Sequence, residues 1–225
     1  MENVQAIKFG KVIVGIDEAG RGPLCGPVVA AAVVFRESEE ILSKLPEWKF
    51  IRDSKKLSEK QREKMFDFVM EHSFVGVGMM HADTIDRVNI LEATFLAMKS
   101  AIASLRQQLA KSNEQKIRDE DFRILVDGNQ LIPNIPFEQH AIVNGDALMK
   151  VIAAASIIAK VTRDRMMLEY DRTYPQYGFA QHKGYGTKVH MIALRKFGPC
   201  PIHRLSFRPV FLSIPENANK RFFGK

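Results

Sequence analysis

The chain has 225 residues, 46% apolar and 26% charged, enough for one domain with a sizeable core and ordinary for a soluble globular protein. Its 33 Lys and Arg against 26 Asp and Glu leave a net charge of +7, which favours a polyanionic partner. Two cysteines, Cys25 and Cys200, make no disulfide framework, no apolar run is long enough to span a membrane, and the N-terminus lacks a signal-peptide core, so a cytoplasmic protein with no membrane contact is expected.

In chain order, Lys11 to Asp17 reads as a first strand and Pro27 to Phe35 as a second, joined by the loop G-R-G-P-L-C-G. Both runs are almost continuously apolar, which predicts a central sheet covered on both faces. Glu37 to Glu47 is charged and turn-rich, and reads as exposed. Asp53-Ser54-Lys55-Lys56-Leu57 precedes a helix with Ser58 as its cap and Met65, Phe68 and Val69 at helical spacing. Ser73 to Met80 alternates as a third strand. From Asn89 to Leu109, apolar residues recur at three- and four-residue steps and predict an amphipathic helix.

A polar stretch, Lys111 to Asp121, leads into a fourth strand, Phe122 to Val126, that ends on Asp127. His140 to Val143 reads as a short fifth strand. A long helix is expected from Asp146 to about Tyr170, then a basic glycine loop, Q-H-K-G-Y-G-T-K-V-H, running into a helix toward Phe197. The alternation of strands and helices indicates an α/β domain spanning 1–225, with no internal repeat.

Acids stand at the ends of three of these elements: Asp17 with Glu18, Asp127, and Asp146. Neighbouring carboxylates at a sheet edge are costly to bury unless cations offset their charge. Convergent hard oxygen ligands suit Mg²⁺ or Mn²⁺, and two such ions about 3.5–4 Å apart hydrolyse phosphodiesters. Asp146 alone also reads as a helix N-cap. If the long helix is continuous, Asp164, 18 residues further on, lies about 27 Å away and cannot share those ions. It is expected to pair with Arg163, Arg165 or a neighbouring helix, and Asp53 to be a turn acid. Gly20, Gly22 and Gly26 leave the backbone bare beside Asp17 and Glu18. That suits either a tight turn or the close approach of a ligand. Lys55, Lys56, His182 and Lys183 are candidate phosphate contacts or solvated surface groups. His182 and His190 carry no zinc spacing, and Ser156 has no partners for nucleophilic chemistry. Tyr174 and Tyr177 read as packing residues.

The stretch D-E-A-G-R-G-P-L-C-G-P-V-V-A-A-A-V resembles the signature of the type 2 ribonucleases H, in the bacterial ribonuclease HII form. The likeness recurs at D-S-K-K-L-S, at N-I-L-E-A-T-F-L-A-M, at V-D-G-N and from Gly145 through Asp164, and spans roughly Val12 to Val210. It implies a ribonuclease H-like fold, a mixed five-stranded sheet flanked by helices, with a C-terminal helical extension at about 185–213 and a tail, 217–225, expected to be disordered. It further implies Asp17, Glu18, Asp127 and Asp146 as catalytic ligands of two Mg²⁺ or Mn²⁺ ions, Gly20, Arg21 and Gly22 as ribonucleotide contacts, and Tyr185 as a ring stacked on the adjoining sugar. Lys55, Lys56 and Lys183 complete the expected substrate contacts.

The implied reaction is hydrolysis of RNA paired with DNA, and cutting 5′ of single ribonucleotides in DNA duplex to leave 5′-phosphate and 3′-hydroxyl ends, with roles in ribonucleotide and RNA primer removal. The implied state is a monomer, and the tail R-F-F-G-K is a candidate sliding-clamp contact. A junction resolvase, a 3′–5′ exonuclease and a non-catalytic duplex-binding module are the other readings.

Overall fold

The computed structural model describes residues 12–51, 57–112 and 118–217. Five strands form one sheet: β1 (Val12–Ala19), β2 (Val28–Phe35), β3 (Ser73–Met80), β4 (Phe122–Asp127) and β5 (Glu138–Ile142). The order is β3-β2-β1-β4-β5. β1, β2 and β3 pair antiparallel, whereas β1, β4 and β5 run parallel. The sheet is therefore mixed, and it is flanked by helices on both faces, as expected.

The helices are α1 (Glu39–Leu42), α2 (Glu59–His72), α3 (Ala82–Val88), α4 (Ile90–Lys111), α5 (Gly145–Leu148), α6 (Lys150–Thr173), α7 (Phe179–His182), α8 (Lys188–Phe197) and α9 (Arg208–Phe211). Ser58 caps α2 in a reciprocal capping box with Gln61. Asn89, in a positive-φ conformation, caps α4 by accepting from the amides of Leu91 and Glu92. The Asn89–Leu109 expectation thus holds with two more residues at its end. Among the described residues, no helix is long and apolar enough to cross a membrane.

One core lies between α4 and the face of the sheet that carries Val14, Ile16, Ala30 and Val126. The other lies between α6, α2 and the face that carries Ala31 and Val33. On that second side a Cβ on Gly15 would stand 2.3 Å from the Val151 carbonyl, so the absence of a side chain lets α6 lie directly on β1.

Several expectations are corrected. β1 continues through Glu18 to Ala19, and β5 begins earlier, at Glu138. Glu37 to Glu47 is not a plain exposed turn: it holds α1 and the start of a 3₁₀ segment, Pro46–Phe50, that buries Leu42 and Trp48. The expected single helix from Asp146 is broken at Met149, whose extended backbone (φ −122°, ψ 118°) separates α5 from α6. Asp164 pairs with Lys160 at 2.8 Å, one turn back on its own helix, whereas Arg165 pairs with Glu63 of α2. Asp53, Lys55 and Lys56, and the tail from 218 onward, lie outside the described residues.

Candidate active site

Parallel pairing of β1 with β4 brings both strand ends to one edge of the sheet: Ile16 stands opposite Val126, and Asp17 and Asp127 follow on adjacent strands. Side-chain alternation turns Gly15 and Asp17 toward α6, where the Ser156 hydroxyl bonds the Asp17 carboxyl. The Glu18 amide also donates to Asp17 Oδ1 at 2.7 Å. Asp127 Oδ1 accepts from the Gly145 amide at 2.7 Å and the Asp146 amide at 3.4 Å, so it docks the first turn of α5 against the strand end. Asp146, with 5% of its surface exposed, is held beside Asp127 in this way.

The electrostatics are unfavourable as they stand. Burial, then the charges of Glu18 and Asp127, push the Asp17 carboxyl well above its ordinary value. Burial also raises Glu18, opposed chiefly by Arg21, whose Nη1 lies 3.3 Å from Glu18 Oε1. Among the described residues, no three of the four acids bring one oxygen each within 4.8 Å of one another. Like charges keep apart, and ligands that serve two ions 3.5–4 Å apart need not close around one point. Hard carboxylate oxygens whose charged form burial and mutual repulsion disfavour fit divalent cations as partners.

A cleft at this edge is lined by Asp17, Glu18, Asp127 and the loop Gly20-Arg21-Gly22, with Tyr185 facing them. A Cβ on Gly22 would meet the Tyr185 ring at 3.6 Å, so loop and ring form the two lips of the cleft. Tyr185 is 47% exposed. Lys183 is placed differently: its Nζ donates to the Ala180 carbonyl at 2.6 Å and lies 3.9 Å from Glu59, away from the lining. His182 is not a surface group at all. It is buried, with Nε2 on the Tyr177 carbonyl and Nδ1 accepting from the Gly184 amide. Tyr177 packs flat on Phe179, as its packing role requires.

Sequence reasoning missed Arg62, Ser156, Lys160 and Arg163, which also line the cleft. Ser156, Lys160 and Arg163 recur at steps of four and three along α6, and that polar stripe on an otherwise apolar helix is a signal that could have found them.

The ribonuclease HII family model matches residues 14–210. The chain is 49% identical over 199 residues to ribonuclease HII of Endomicrobium trichonymphae, covering 88% of this chain and 86% of that protein. Among solved structures it resembles ribonuclease H2 of Pyrococcus horikoshii OT3, with TM-score 0.66 and 26% identity over 92% of this chain and 99% of that one. It shares its fold with Bst-RNase HIII solved in complex with Mn²⁺, with TM-score 0.61 and 19% identity over 94% of this chain and 71% of that one.

Proposed function

The chain belongs to the ribonuclease HII family and is a ribonuclease H, and we propose that it cuts the RNA strand of RNA–DNA hybrids and the 5′ side of single ribonucleotides embedded in DNA duplex. Family membership sets aside the resolvase, exonuclease and non-catalytic readings. Asp17, Glu18, Asp127 and Asp146 would hold two divalent ions, Mg²⁺ or Mn²⁺, which supply, when bound, an activated water and charge neutralisation at the leaving oxygen.

The chain's own groups do the rest. Ser156 and the Glu18 amide hold the Asp17 carboxylate in place, and Asp127 holds the Asp146 turn. Gly22 presents bare backbone to a ribose, where N–H and C=O groups can bond a 2′-hydroxyl that a DNA sugar lacks. Tyr185 offers a ring to the adjoining sugar, and Arg21 a cation at the cleft mouth. The products would be a 5′-phosphate and a 3′-hydroxyl, and the cellular work ribonucleotide and RNA primer removal.

The observation that carries this reading is that Asp17, Glu18 and Asp127 line one cleft with Gly20, Arg21, Gly22 and Tyr185. The test is cleavage, with Mg²⁺, of a DNA duplex bearing one ribonucleotide beside its all-deoxy twin. Cutting only the first, on its 5′ side, is expected. Cutting both, or neither, rejects junction sensing.

A further inference from the structure

Behind the cleft lies a buried polar assembly that none of the roles above uses. Arg204, with no surface exposed, donates five hydrogen bonds to four backbone carbonyls, all in the loop between β1 and β2. They run to Gly20 (2.6 Å), Arg21 (3.0 Å), Pro23 (2.7 Å) and Gly26 (2.9 and 3.0 Å). The guanidinium fork is the side chain able to satisfy so many acceptors at once. Main-chain bonds add to the grip, from the Arg204 amide to the Leu24 carbonyl at 3.0 Å and from the Gly26 amide to the Ile202 carbonyl at 2.9 Å. Arg163 holds the far side of the loop through the carbonyls of Cys25 and Pro27, and ties it to Lys183.

The residue before Arg204 reaches the other lip. His203 pairs with Cys25 across an isolated bridge, and its Nε2 lies 3.0 Å from His190 Nε2. Hydrogen-bond polarity sets both tautomers. The Cys200 amide donates to His203 Nδ1, so His203 carries its proton on Nε2. The Tyr185 carbonyl can only accept, so His190 donates from Nδ1 and accepts at Nε2. Cys25, His190 and His203 bring ligand atoms within 4.8 Å of one another, yet this polarity spends the His203 Nε2 lone pair position on a proton, and Arg163 and Arg204 crowd the same place with positive charge. The group therefore reads as a neutral hydrogen-bond relay ending on the Tyr185 backbone, not as a cation site.

We propose that Arg204 is the positioning residue of the substrate loop and that, with His203, it sets how the Gly22 backbone and the Tyr185 ring stand relative to each other at the cleft where a ribose is read. This rests on the junction-sensing reading above. It assigns specificity to a residue that touches no substrate: the carbonyls Arg204 gathers fix which way the intervening amides of the loop face.

The test uses Arg204→Ala in the full chain, with added guanidinium at millimolar concentration as the probe and methylammonium as the control for charge without a fork. Arg204→Ala is expected to lower kcat/KM on the one-ribonucleotide duplex at least ten-fold while changing Kd for the all-deoxy duplex less than two-fold. Guanidinium should restore most of the loss and methylammonium none. Hydrogen exchange should show the Gly20–Gly26 amides opening in the variant and closing again with guanidinium. Should Arg204→Ala fail to fold, Arg204→Lys replaces it, with the same loss and no rescue by methylammonium expected. A folded variant with unchanged loop exchange and unchanged kcat/KM overturns the proposal, as does an equal weakening of Kd for both duplexes that guanidinium leaves in place. If the unsubstituted protein does not distinguish the two duplexes, the junction reading fails, and the exchange experiment alone still decides whether Arg204 holds the loop.

Discussion

Asp127 Oδ1 receives the Gly145 amide at 2.7 Å, so one carboxylate both faces the cleft and fastens the turn that carries Asp146. A Cβ on Gly145 would stand 3.2 Å from that oxygen and 2.6 Å from Ile152 Cδ1, which explains why the turn begins on glycine. The fastening bond needs an acceptor, whereas ion binding needs charge. Asp127→Asn keeps the first and loses the second. It should lower cleavage by at least a thousand-fold, leave duplex Kd within about two-fold, and cost no more than about 1 kcal/mol of stability. Cleavage assays, duplex binding and thermal melting check this together, and a large loss of stability would show the residue to be mainly structural.

Gly20 and Gly22 should respond differently to a methyl group. At Gly20 the backbone is left-handed (φ +97°), and a Cβ would collide with Arg163 Nε at 2.2 Å. Gly20→Ala should therefore disturb the loop and lower the melting temperature. At Gly22 the nearest atom to a new Cβ is 3.6 Å away on Tyr185, so the fold has room for it. Gly22→Ala should melt like the parent yet cleave the one-ribonucleotide duplex at least ten-fold more slowly, because the methyl occupies the space meant for the sugar. Parent-like cleavage by Gly22→Ala would place the ribose elsewhere.

Much of this site was legible before any coordinates. Asp17 and Glu18 near the end of β1 and Asp127 at the end of β4 were visible because buried strands read as apolar runs, so an acid that closes one stands out. β3 was read at its observed bounds from its alternating pattern. What stayed hidden has physical causes. The break at Met149 carries no glycine or proline and is imposed by docking of α5 on Asp127. α3 spans only seven residues, and its apolar face, Ala82, Ile85 and Val88, is too short a pattern to stand out among the polar D-T and D-R. Arg163 and Arg204 were missed because arginine is expected at the surface, and only the fold reveals carbonyls gathered around a buried guanidinium.

Burial, then the Glu18 and Asp127 charges, raise the Asp17 carboxyl well above its ordinary value, so the fold disfavours its charged form. Asn at this position retains an acceptor for Ser156 and the Glu18 amide and removes a buried charge. In chelator, Asp17→Asn should be more stable than the parent by on the order of 1 kcal/mol. Adding Mn²⁺ should raise the melting temperature of the parent and leave the variant unmoved. A variant less stable than the parent in chelator would contradict the electrostatic account.

The histidine relay predicts an acid-side weakness. Burial, then the neighbouring His190, push His203 down to about 4 from its ordinary 6.5. The unfolded chain therefore takes up this proton first, and the stability His203 contributes is complete above pH 6.5 and lost as pH falls from 6.5 toward 4. The loss is at most on the order of 3 kcal/mol. Denaturant melts of the parent and His203→Gln across this window should converge as pH falls, whereas a constant difference between them would mean that His203 is not held neutral.

The most direct measurement is anomalous diffraction at the manganese edge from crystals of the protein grown with Mn²⁺ and a non-cleavable duplex carrying one ribonucleotide. Two Mn²⁺ ions about 3.5–4 Å apart, held among Asp17, Glu18, Asp127 and Asp146 beside the phosphate 5′ of the ribonucleotide, are expected. Manganese bound elsewhere, or a scissile phosphate lying away from these four carboxylates, would contradict the account.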